Sequence, residues 1–468
     1  SAWNVQRDPL TGEESAPGTG GDAAGGLAKA VEMCNNNGHC RKFDAGTMCP
    51  SYRATRDEQH LTRGRANTLR LALSGKLGPD ALASRPLFET MELCVGCKGC
   101  KRECPTGVDM ARMKTEFLYQ YRKTHAPRLK DRLVAHFPRY APIVSRLSFL
   151  ANLRDRVPGL AALSERIVGF SARRRLPVWR GRTYLRAHAA AAGRASAGGA
   201  ADTLAATAAA QSGSDTSTRE VVLFADCFNN YHEPENLHAA QRVLEAAGYR
   251  VHVAVAGDDD AAGGRPLCCG RTYLATGLLD DARAEARRTL AALAPFVERG
   301  VAVVGLEPSC LLTMRDEYLV MGLGPLAQRL ATQAMLFEEF VAREHAAGRF
   351  APAFEALPQS TALLHGHCHQ KAFDAMGPVQ RVLSLVPGLT VRTVESSCCG
   401  MAGSFGYEAQ HFDLSMKMAE AALLPAVRAA DDKTLIVADG TSCRHQIADG
   451  AGRAAIHVAR VLDAALVR

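Results

Sequence analysis

Fifteen cysteines in 468 residues are the feature of this chain whose chemistry is most evident. A secreted disulfide framework is a poor interpretation, because the number is odd, the chain is large and the first residues lack a basic-then-apolar signal. Two pairs of cysteines are adjacent in sequence, and adjacent cysteines cannot both reach separate partners without strain. Clustered thiols in a reducing compartment indicate metal ligands, so we expect metal chemistry here.

One cluster follows the pattern C-x2-C-x2-C-x3-C-P, and it comprises Cys94, Cys97, Cys100, Cys104 and Pro105. This is the spacing of bacterial ferredoxins, in which three thiolates surround one face of a four-iron cluster and the fourth cysteine reaches a second cluster. A structural zinc site is the alternative, but the run matches the ferredoxin pattern throughout.

An upstream run is an incomplete partner for this motif. It contains Cys34, Cys40 and Cys49, with Asn37 where the middle cysteine of the pattern would stand. The crossing of ligands in the ferredoxin pattern then predicts one complete set, Cys49, Cys94, Cys97 and Cys100. It leaves three thiolates for a second site, Cys34, Cys40 and Cys104. That second site could hold a three-iron cluster, a four-iron cluster completed by Asn37, His39 or water, or no cluster.

The other eight cysteines lie in a βα pattern that occurs twice. In each copy a single cysteine follows a strand, a Cys-Cys-Gly turn follows the next strand, and a last cysteine closes a third strand. The first copy contains Cys227, Cys268, Cys269 and Cys310, and the second contains Cys368, Cys398, Cys399 and Cys443. The recurrence of elements and ligands in the same order indicates an internal repeat.

Strands that alternate with helices predict a parallel sheet, whose ligands gather at the carboxyl ends of the strands. We therefore expect four thiols to converge at one edge of each copy. A vicinal disulfide or inert buried cysteines are the alternatives. The second copy is the better candidate for a cluster, since small residues follow its Cys-Cys-Gly turn, whereas Arg271 and Tyr273 follow the first. His367 or His369 is expected beside that cluster.

These motifs also carry a family resemblance. The stretches CFNNYHEPE, LCCGR, EPSC, HGHCHQK and CCGMAGSFGYE resemble the twin CCG domains of heterodisulfide reductases and of the iron–sulfur subunits of glycolate oxidase and anaerobic glycerol-3-phosphate dehydrogenase. The two upstream cysteine runs are similar to the C-terminal half of FAD-linked oxidases of the D-lactate and D-2-hydroxyglutarate dehydrogenase type. Cys310 and Cys443 lack the second cysteine, three residues on, that heterodisulfide reductases use, which counts against a disulfide reductase.

The resemblance implies a module that passes electrons from FAD to a quinone or another acceptor after a 2-hydroxy acid is oxidised. No G-x-G-x-x-G follows a strand in this sequence, so FAD is expected on a missing or partner domain. The first residue is Ser1 rather than Met, which also suggests a processed chain or part of a longer one. No catalytic residue is predicted within this chain.

The predicted fold class is α + α/β, an all-helical ferredoxin-like module followed by two repeated βα CCG domains with parallel sheets. The predicted segments are a flexible leader at 1–26, a helical ferredoxin-like iron–sulfur domain at 27–138, a basic helical extension at 139–186, an Ala/Gly/Ser linker at 187–218, the first CCG domain at 219–350 and the second at 351–468.

Charge is concentrated in the basic extension. Between Arg139 and Arg186 there are 11 arginines and only two acids, Asp155 and Glu165, although the whole chain carries only +8. A solvated basic face on packed helices is one interpretation, and a docking surface for anionic lipid or an acidic partner is the other. No apolar run reaches the ~20 residues of a membrane span. Aromatic residues make up 6% of the chain, which disfavours base stacking, so we expect no nucleic acid partner and a cytoplasmic protein that could contact the inner face of the membrane.

Overall fold

A computed structural model describes residues 26–43, 46–198, 219–257 and 265–467. Nearly all of the predicted leader and residues 199–218 of the predicted linker therefore lie outside the described residues. No described helix is both long and apolar enough to cross a membrane.

The region that carries the first seven cysteines is helical. Its helices are short because glycines and the cysteine loops interrupt them, and they pack around a buried core that includes Leu61, Leu69, Met91 and Phe117. The helices are Gly26–Glu32, Pro50–Thr55, Thr62–Leu73, Arg85–Glu92, Gly99–Glu103 and Met110–Arg122, with 3-10 turns at His39–Arg41, Glu58–His60 and Ala81–Ala83.

The basic extension is also helical, and Pro158 lies between two of its elements. The elements are Leu129–Ala135, Phe137–Arg146, Ser148–Ala151, the 3-10 turn Asn152–Asp155, Leu160–Val168 and Tyr184–Gly198. The last helix continues into the stretch predicted as linker. Its first turn is anchored by the buried Tyr184, whose hydroxyl donates a hydrogen bond to Gln241 at 2.7 Å. The alanines that follow have the highest helix propensity and extend the helix.

The first βα copy has a four-stranded parallel sheet in the order β2-β1-β3-β4. Its strands are β1 (Arg219–Phe224), β2 (Tyr249–Val253), β3 (Ala302–Gly305) and β4 (Ala334–Leu336). Strand β4 was not predicted, because three residues between two helices carry too little periodicity to be recognised. The helices are Cys227–Tyr231, Pro234–Ala246, Arg271–Thr276, Leu279–Glu298, Pro308–Arg315, Glu317–Val320, Pro325–Gln333 and Phe337–Ala346.

The second copy repeats the arrangement β2-β1-β3 as a parallel sheet in the order β6-β5-β7. Its strands are β5 (Thr361–Leu364), β6 (Thr390–Thr393) and β7 (Leu435–Val437). The helices are Cys368–Ala372, Met376–Leu383, Phe412–Glu420, Leu423–Ala429, Thr441–Ala451 and Val458–Ala465, with 3-10 turns at Phe405–Tyr407 and Ala409–His411.

The two copies pack against each other through reciprocal pairs of helices. The second helix of the first copy contacts the last helix of the second copy, and the last helix of the first copy contacts the second helix of the second. Side chains from β1, β3, β5 and β7 belong to one shared apolar core. The predicted fold class, a helical region followed by βα units with parallel sheets, is confirmed.

The strands end earlier than the sequence pattern suggested, so the single and last cysteines of each copy lie in the first turn of the helix that follows a strand. Cys227 and Cys368 are the first residues of their helices. Cys310 and Cys443 are the third residues of theirs. This placement turns the thiols toward helix N-termini, whose backbone N–H groups favour negative charge.

Candidate metal centres

The structure brings together the four cysteines that the crossing pattern assigned to one cluster. Cys49, from the start of the helix Pro50–Thr55, lines one small cavity with Cys94, Cys97 and Cys100. The loop can bring its three thiols to one side because Gly96 and Lys98 have left-handed backbone conformations, with φ of 62° and 59°. Burial and the neighbouring cysteines raise the pKa of the Cys97 and Cys100 thiols well above its usual range.

The incomplete set is less enclosed. Cys34 and Cys40 are buried, and burial raises the pKa of Cys40 to about 11. Cys104 is half-buried, and its sulfur lies 3.3 Å from the hydroxyl of Thr106. The exposed Asn37 side chain is engaged within its own loop, since its Oδ1 accepts from the N–H of His39 at 2.8 Å. The contacts of Asn37 therefore give no support for its carbonyl as the fourth ligand.

The four cysteines of the first βα copy converge at the edge of its sheet, and we name them the first quartet (Cys227, Cys268, Cys269 and Cys310). Each thiol shifts the pKa of its neighbour in the order Cys227–Cys268, Cys268–Cys269 and Cys269–Cys310, so the four sulfurs lie next to one another. All four side chains are buried. The residues that the sequence placed beside the pair do not block it, because Arg271 ion-pairs with Glu317 at 2.8 Å.

The second copy shows the same convergence, and we name its cysteines the second quartet (Cys368, Cys398, Cys399 and Cys443). Neighbouring thiols again shift each other's pKa, Cys368 with Cys398, Cys398 with Cys399, and Cys399 with Cys443. Cys398 lowers the pKa of Cys368 to about 6, with a further contribution from the charge of His367. All fifteen cysteines are free thiols, so the adjacent pairs are not vicinal disulfides.

The glycine after each cysteine pair shapes both quartets. Gly270 and Gly400 have φ of 81° and 85°, a conformation that side chains other than glycine rarely adopt. In each turn the glycine N–H points at the first sulfur of the pair, at 3.4 Å from Cys268 and 3.5 Å from Cys398. A side chain at Gly400 would also meet the carbonyl oxygen of Ser415 at 2.3 Å. The turn therefore requires glycine in both copies.

His365 is the histidine that faces the sulfurs of the second quartet. One of its ring nitrogens and the sulfurs of Cys399 and Cys443 all lie within 4.8 Å of one another. Its Nδ1 lies 3.0 Å from the hydroxyl of Ser396, which also accepts a hydrogen bond from Lys371. Its Nε2 is a fully buried atom with no hydrogen-bond partner among the described residues.

The sequence analysis favours His367 or His369 beside this quartet, and the charge of His367 does contribute to the lowered pKa of Cys368. His367 also caps its own helix, because its Nδ1 accepts from the N–H of His369 at 3.1 Å. The signal that could have identified His365 is its position directly after strand β5, three residues before the first cysteine.

Carboxylates flank the first quartet. Burial, together with the charge of Glu307, raises the pKa of Asp226 to about 7. Glu307 lies between the quartets, since it accepts from the N–H of Thr441, two residues before Cys443, at 2.8 Å. The buried hydroxyl of Tyr273 has no hydrogen-bond partner in the described part of the chain, and Cys268 is among the groups that affect its pKa. The hydroxyl of Tyr273 is therefore available to donate a hydrogen bond to an inorganic cluster in the first quartet.

The ferredoxin-like loop lies at the junction of both copies. Lys98, buried between Cys97 and Gly99, forms ion pairs with Asp316 and, at 2.7 Å, with Glu317 of the first copy. Arg112 also pairs with Asp316, and these cations hold the pKa of that carboxyl well below its usual range.

The second copy is linked to the same loop. His369 Nε2 lies 3.0 Å from the carbonyl of Gly96 and donates to it. The thiol of Cys97 faces Cys368, and its pKa is raised by burial and then by the negative charge of that cysteine. The ferredoxin-like cavity and the second quartet are therefore neighbours.

The donor sets fit iron–sulfur clusters. Each of the three complete sets offers four sulfurs, the ligand number of a four-iron cluster. Mutual repulsion and burial keep most of these thiols protonated, and a bound cationic cluster would remove that cost, since metals bind deprotonated ligands. The Nε2 of His365 and the hydroxyl of Tyr273 can donate to cluster sulfur atoms.

Comparison with known proteins defines the class. Residues 30–108 match the family model of the 4Fe-4S dicluster domain, and residues 362–448 match that of the cysteine-rich domain. The chain thus joins a region that matches the 4Fe-4S dicluster domain to a region that matches the cysteine-rich domain, which confirms the resemblance inferred from the cysteine motifs.

Several dehydrogenases are similar to this chain. D-2-hydroxyglutarate dehydrogenase of Escherichia coli (strain K12) is 25% identical over 471 residues, which cover 92% of this chain and 43% of the relative. The protein with the same name from Pseudomonas putida is 26% identical, and the match covers 88% of this chain and 41% of the relative. One subunit of the anaerobic glycerol-3-phosphate dehydrogenase of Escherichia coli (strain K12) is 26% identical over 231 residues, which cover 49% of this chain and 54% of the relative. The chain therefore spans less than half the length of the D-2-hydroxyglutarate dehydrogenases.

Proposed function

We propose that this chain is the electron-transfer part of an oxidoreductase that acts on the CH–OH group of a 2-hydroxy acid. Electrons would pass from FAD, held by another domain or subunit, through the iron–sulfur clusters to a quinone or another acceptor. Several clusters in one chain favour a relay, since one cluster is enough for a structural role. The names of the relatives support the substrate class.

The observation that carries this proposal is the adjacency of the four-sulfur sites. Cys97 of the ferredoxin-like set faces Cys368 of the second quartet, and Glu307 separates the two quartets. Three sites in sequence suit stepwise passage of single electrons. A structural zinc site would not need neighbours of this kind.

We propose the following ligands. Cys49, Cys94, Cys97 and Cys100 would hold one four-iron cluster, and each quartet would hold another. Cys34, Cys40 and Cys104 would form a site with three thiolates. The chain's own contribution is to position these sulfurs, exclude water from them by burial, and set their electrostatic surroundings through His365, Lys371, Asp226 and Glu307.

Two further parts of the proposal concern location. Fifteen free thiols suit the reducing cytoplasm. If the acceptor is a membrane quinone, the chain would contact the inner face of the membrane through the basic extension at 139–186.

Anaerobic reconstitution followed by iron and sulfide analysis and EPR of the reduced protein tests the proposal. We expect about four irons for each complete set and interacting signals from neighbouring clusters. Stoichiometric zinc without sulfide would support a scaffold and contradict the relay. A reduced protein that cleaves disulfides but does not reduce a water-soluble quinone analogue would favour the disulfide reductase alternative.

A further inference from the structure

One helical part of the basic extension has no buried residue over 25 consecutive positions. From Arg146 to Phe170, every residue is at least partly exposed. These positions include the helices Ser148–Ala151 and Leu160–Val168 and the 3-10 turn between them. A surface helix normally buries its apolar stripe against the core. Here the apolar stripe faces outward.

The exposed apolar side chains of the molecule concentrate in this part. Fifteen large apolar side chains are exposed among the described residues, and eight of them lie within the 36 residues of 143–178. Phe149 and Ile167 are each 62% exposed and Ile143 is 61% exposed. The eight are Ile143, Leu147, Phe149, Leu150, Val157, Leu163, Ile167 and Val178. A concentration of this kind marks an interaction site, whereas scattered exposed apolar residues need no explanation.

The arginines of the extension divide into two groups. Some serve the fold: Arg174 is fully buried and donates to the carbonyl of Gly406, and Arg154 donates to the carbonyl of Ser171. Others are exposed, and their guanidinium groups form no hydrogen bond or ion pair with any described residue. These are Arg146, Arg156, Arg166 and Arg182.

The two acids of the extension do not neutralise these arginines. Asp155 pairs with Arg154 and accepts from the N–H of Leu176 at 2.8 Å. Glu165 accepts from the N–H of Ala172 at 2.5 Å. The outward face therefore combines aliphatic side chains with uncompensated positive charge.

We propose that the face formed by residues 143–178, which we name the basic apolar face, docks on an anionic lipid bilayer. Aliphatic and aromatic side chains can enter the boundary between headgroups and acyl chains while arginines meet lipid phosphates. No described helix can cross the membrane, so contact would stay at the surface. The inference rests on the proposed function in one respect, because a quinone acceptor would explain why the relay approaches a membrane.

Charge also argues against a second copy as the occupant. An interface between two identical faces would bring the same arginines together, since a twofold interface is self-complementary. Both acids of the extension are already engaged within it, as described above. An anionic surface provides the complementary charge instead.

Vesicle co-sedimentation of the reconstituted chain tests the inference. We expect binding to mixed phosphatidylcholine/phosphatidylglycerol vesicles, much weaker binding to phosphatidylcholine alone, and loss of binding as salt rises, because exposed charges are screened. Each arginine near an anionic surface contributes roughly a factor of five. The triple variant Arg146→Glu, Arg156→Glu, Arg166→Glu is therefore expected to bind at least about 100-fold more weakly. The triple variant Phe149→Ser, Leu163→Ser, Ile167→Ser is also expected to lose binding.

Matched controls change exposed residues elsewhere. Vesicle binding should be unchanged in the triple variant Arg250→Glu, Arg329→Glu, Arg392→Glu. It should also be unchanged in the triple variant Leu77→Ser, Val255→Ser, Val467→Ser. All of these variants alter side chains at the surface, so an unchanged Tm can verify folding.

Three outcomes would overturn the docking inference. The first is equal binding to neutral and anionic vesicles, or none to either. The second is a concentration-dependent dimer that the Phe149, Leu163 and Ile167 variant abolishes, which would assign the face to a second copy. The third is loss of vesicle binding when a flavin-bearing subunit is added, which would assign it to that partner. Reduction of a water-soluble quinone analogue, measured without vesicles, tests the proposed function separately.

Discussion

The two quartets place four sulfurs in the same way but surround them with different side chains. Three positions differ around the first cysteine of each copy: the third residue before it, the residue directly before it and the residue directly after it. In the first copy they are Phe224, Asp226 and Phe228. In the second copy they are His365, His367 and His369. Carboxylates flank the first quartet, whereas a histidine N–H and the ammonium of Lys371 lie near the second.

The two quartets therefore share one backbone arrangement but differ in the charges and hydrogen-bond donors around their sulfurs. Hydrogen bonds to sulfur and nearby positive charge raise the reduction potential of a cluster, and nearby negative charge lowers it. We therefore expect a cluster in the second quartet to have the higher potential. That quartet is also the one that contacts the ferredoxin-like loop, through His369 and Gly96.

The largest expected effect is the loss of a whole cluster. Cys398→Ser in the second quartet and Cys268→Ser in the first should each remove about four irons per chain, since each quartet supplies one complete ligand set. Iron analysis after anaerobic reconstitution measures this. Under the proposed function, electron flow to the acceptor should stop in the Cys398 variant, while reduction of the flavin on the partner domain by substrate continues.

A different iron content in the two cysteine variants would show that the two quartets are not equivalent metal sites. Loss of iron in the Cys398 variant alone would mean that only the second quartet holds a cluster. Unchanged iron in both variants would make the quartets structural, and the relay would end at the ferredoxin-like set.

The next largest effect is the loss of stability when the glycine of either Cys-Cys-Gly turn is replaced. Gly270→Ala should cost about 1–2 kcal/mol, the strain of a left-handed residue that is not glycine. Gly400→Ala should cost about 1–3 kcal/mol more, because its Cβ would meet the Ser415 carbonyl oxygen at 2.3 Å, against 3.0 Å to the nearest atom at Gly270. Thermal unfolding of the reconstituted variants shows which of the two substitutions lowers the Tm more. Equal Tm values would contradict the tighter packing at Gly400.

Replacing one histidine should make the second site resemble the first. His365→Phe introduces the residue found at the equivalent position of the first copy. Loss of one hydrogen bond to a charged sulfur, worth about 1.4 kcal/mol, lowers the potential of a one-electron couple by about 60 mV. An EPR-monitored redox titration measures the shift. His252→Phe is the control, since this partly exposed histidine of strand β2 pairs with Glu220 and not with a cysteine, and it should leave every potential unchanged.

The smallest effect concerns the buried carboxylate of Glu344 in the first copy. Glu344 accepts from Tyr249 at 2.7 Å and from Arg349 at 2.7 Å. The Arg349 hydrogen bonds lower the pKa of Glu344 to about 2. Because the Arg349 side chain is half exposed, we expect Glu344→Gln to cost only about 1 kcal/mol, or about 2 °C in Tm.

The pH dependence of this effect has a definite sign. A carboxyl whose folded pKa is depressed stabilises the protein above its unfolded pKa, near 4.5, and loses that contribution as the pH falls toward 2. The Tm difference between the wild type and the Gln variant should therefore stay constant from about pH 5 to 8. A difference that shrinks within that range would show that Glu344 is not held ionised.

Much of the site could be predicted from the cysteine spacing, because ligands within one short loop reach the same metal whatever surrounds them. Cys94, Cys97 and Cys100 are of this kind. The crossing to Cys49 was predictable as well, since it follows from the ferredoxin pattern, and the structure places that thiol in the same cavity.

Element boundaries were less predictable. The sequence pattern extended the strands to the cysteines, but the structure starts helices there, because a helix N-terminus in each copy receives the thiols. Strand β4 and the helix Tyr184–Gly198 depend on contacts with distant residues, which periodicity does not report.

The cluster motifs, the repeat and the parallel sheets can be predicted from the sequence alone, since each follows from local spacing and from the alternation of strands and helices. Which sites adjoin depends on tertiary packing, because Cys97 and Cys368 are remote in the chain. Packing likewise turns His365 toward the sulfurs and buries Arg174, while Arg146 and Arg166 stay exposed. Orientation and burial arise from the packing of distant elements, and residue type alone does not contain them.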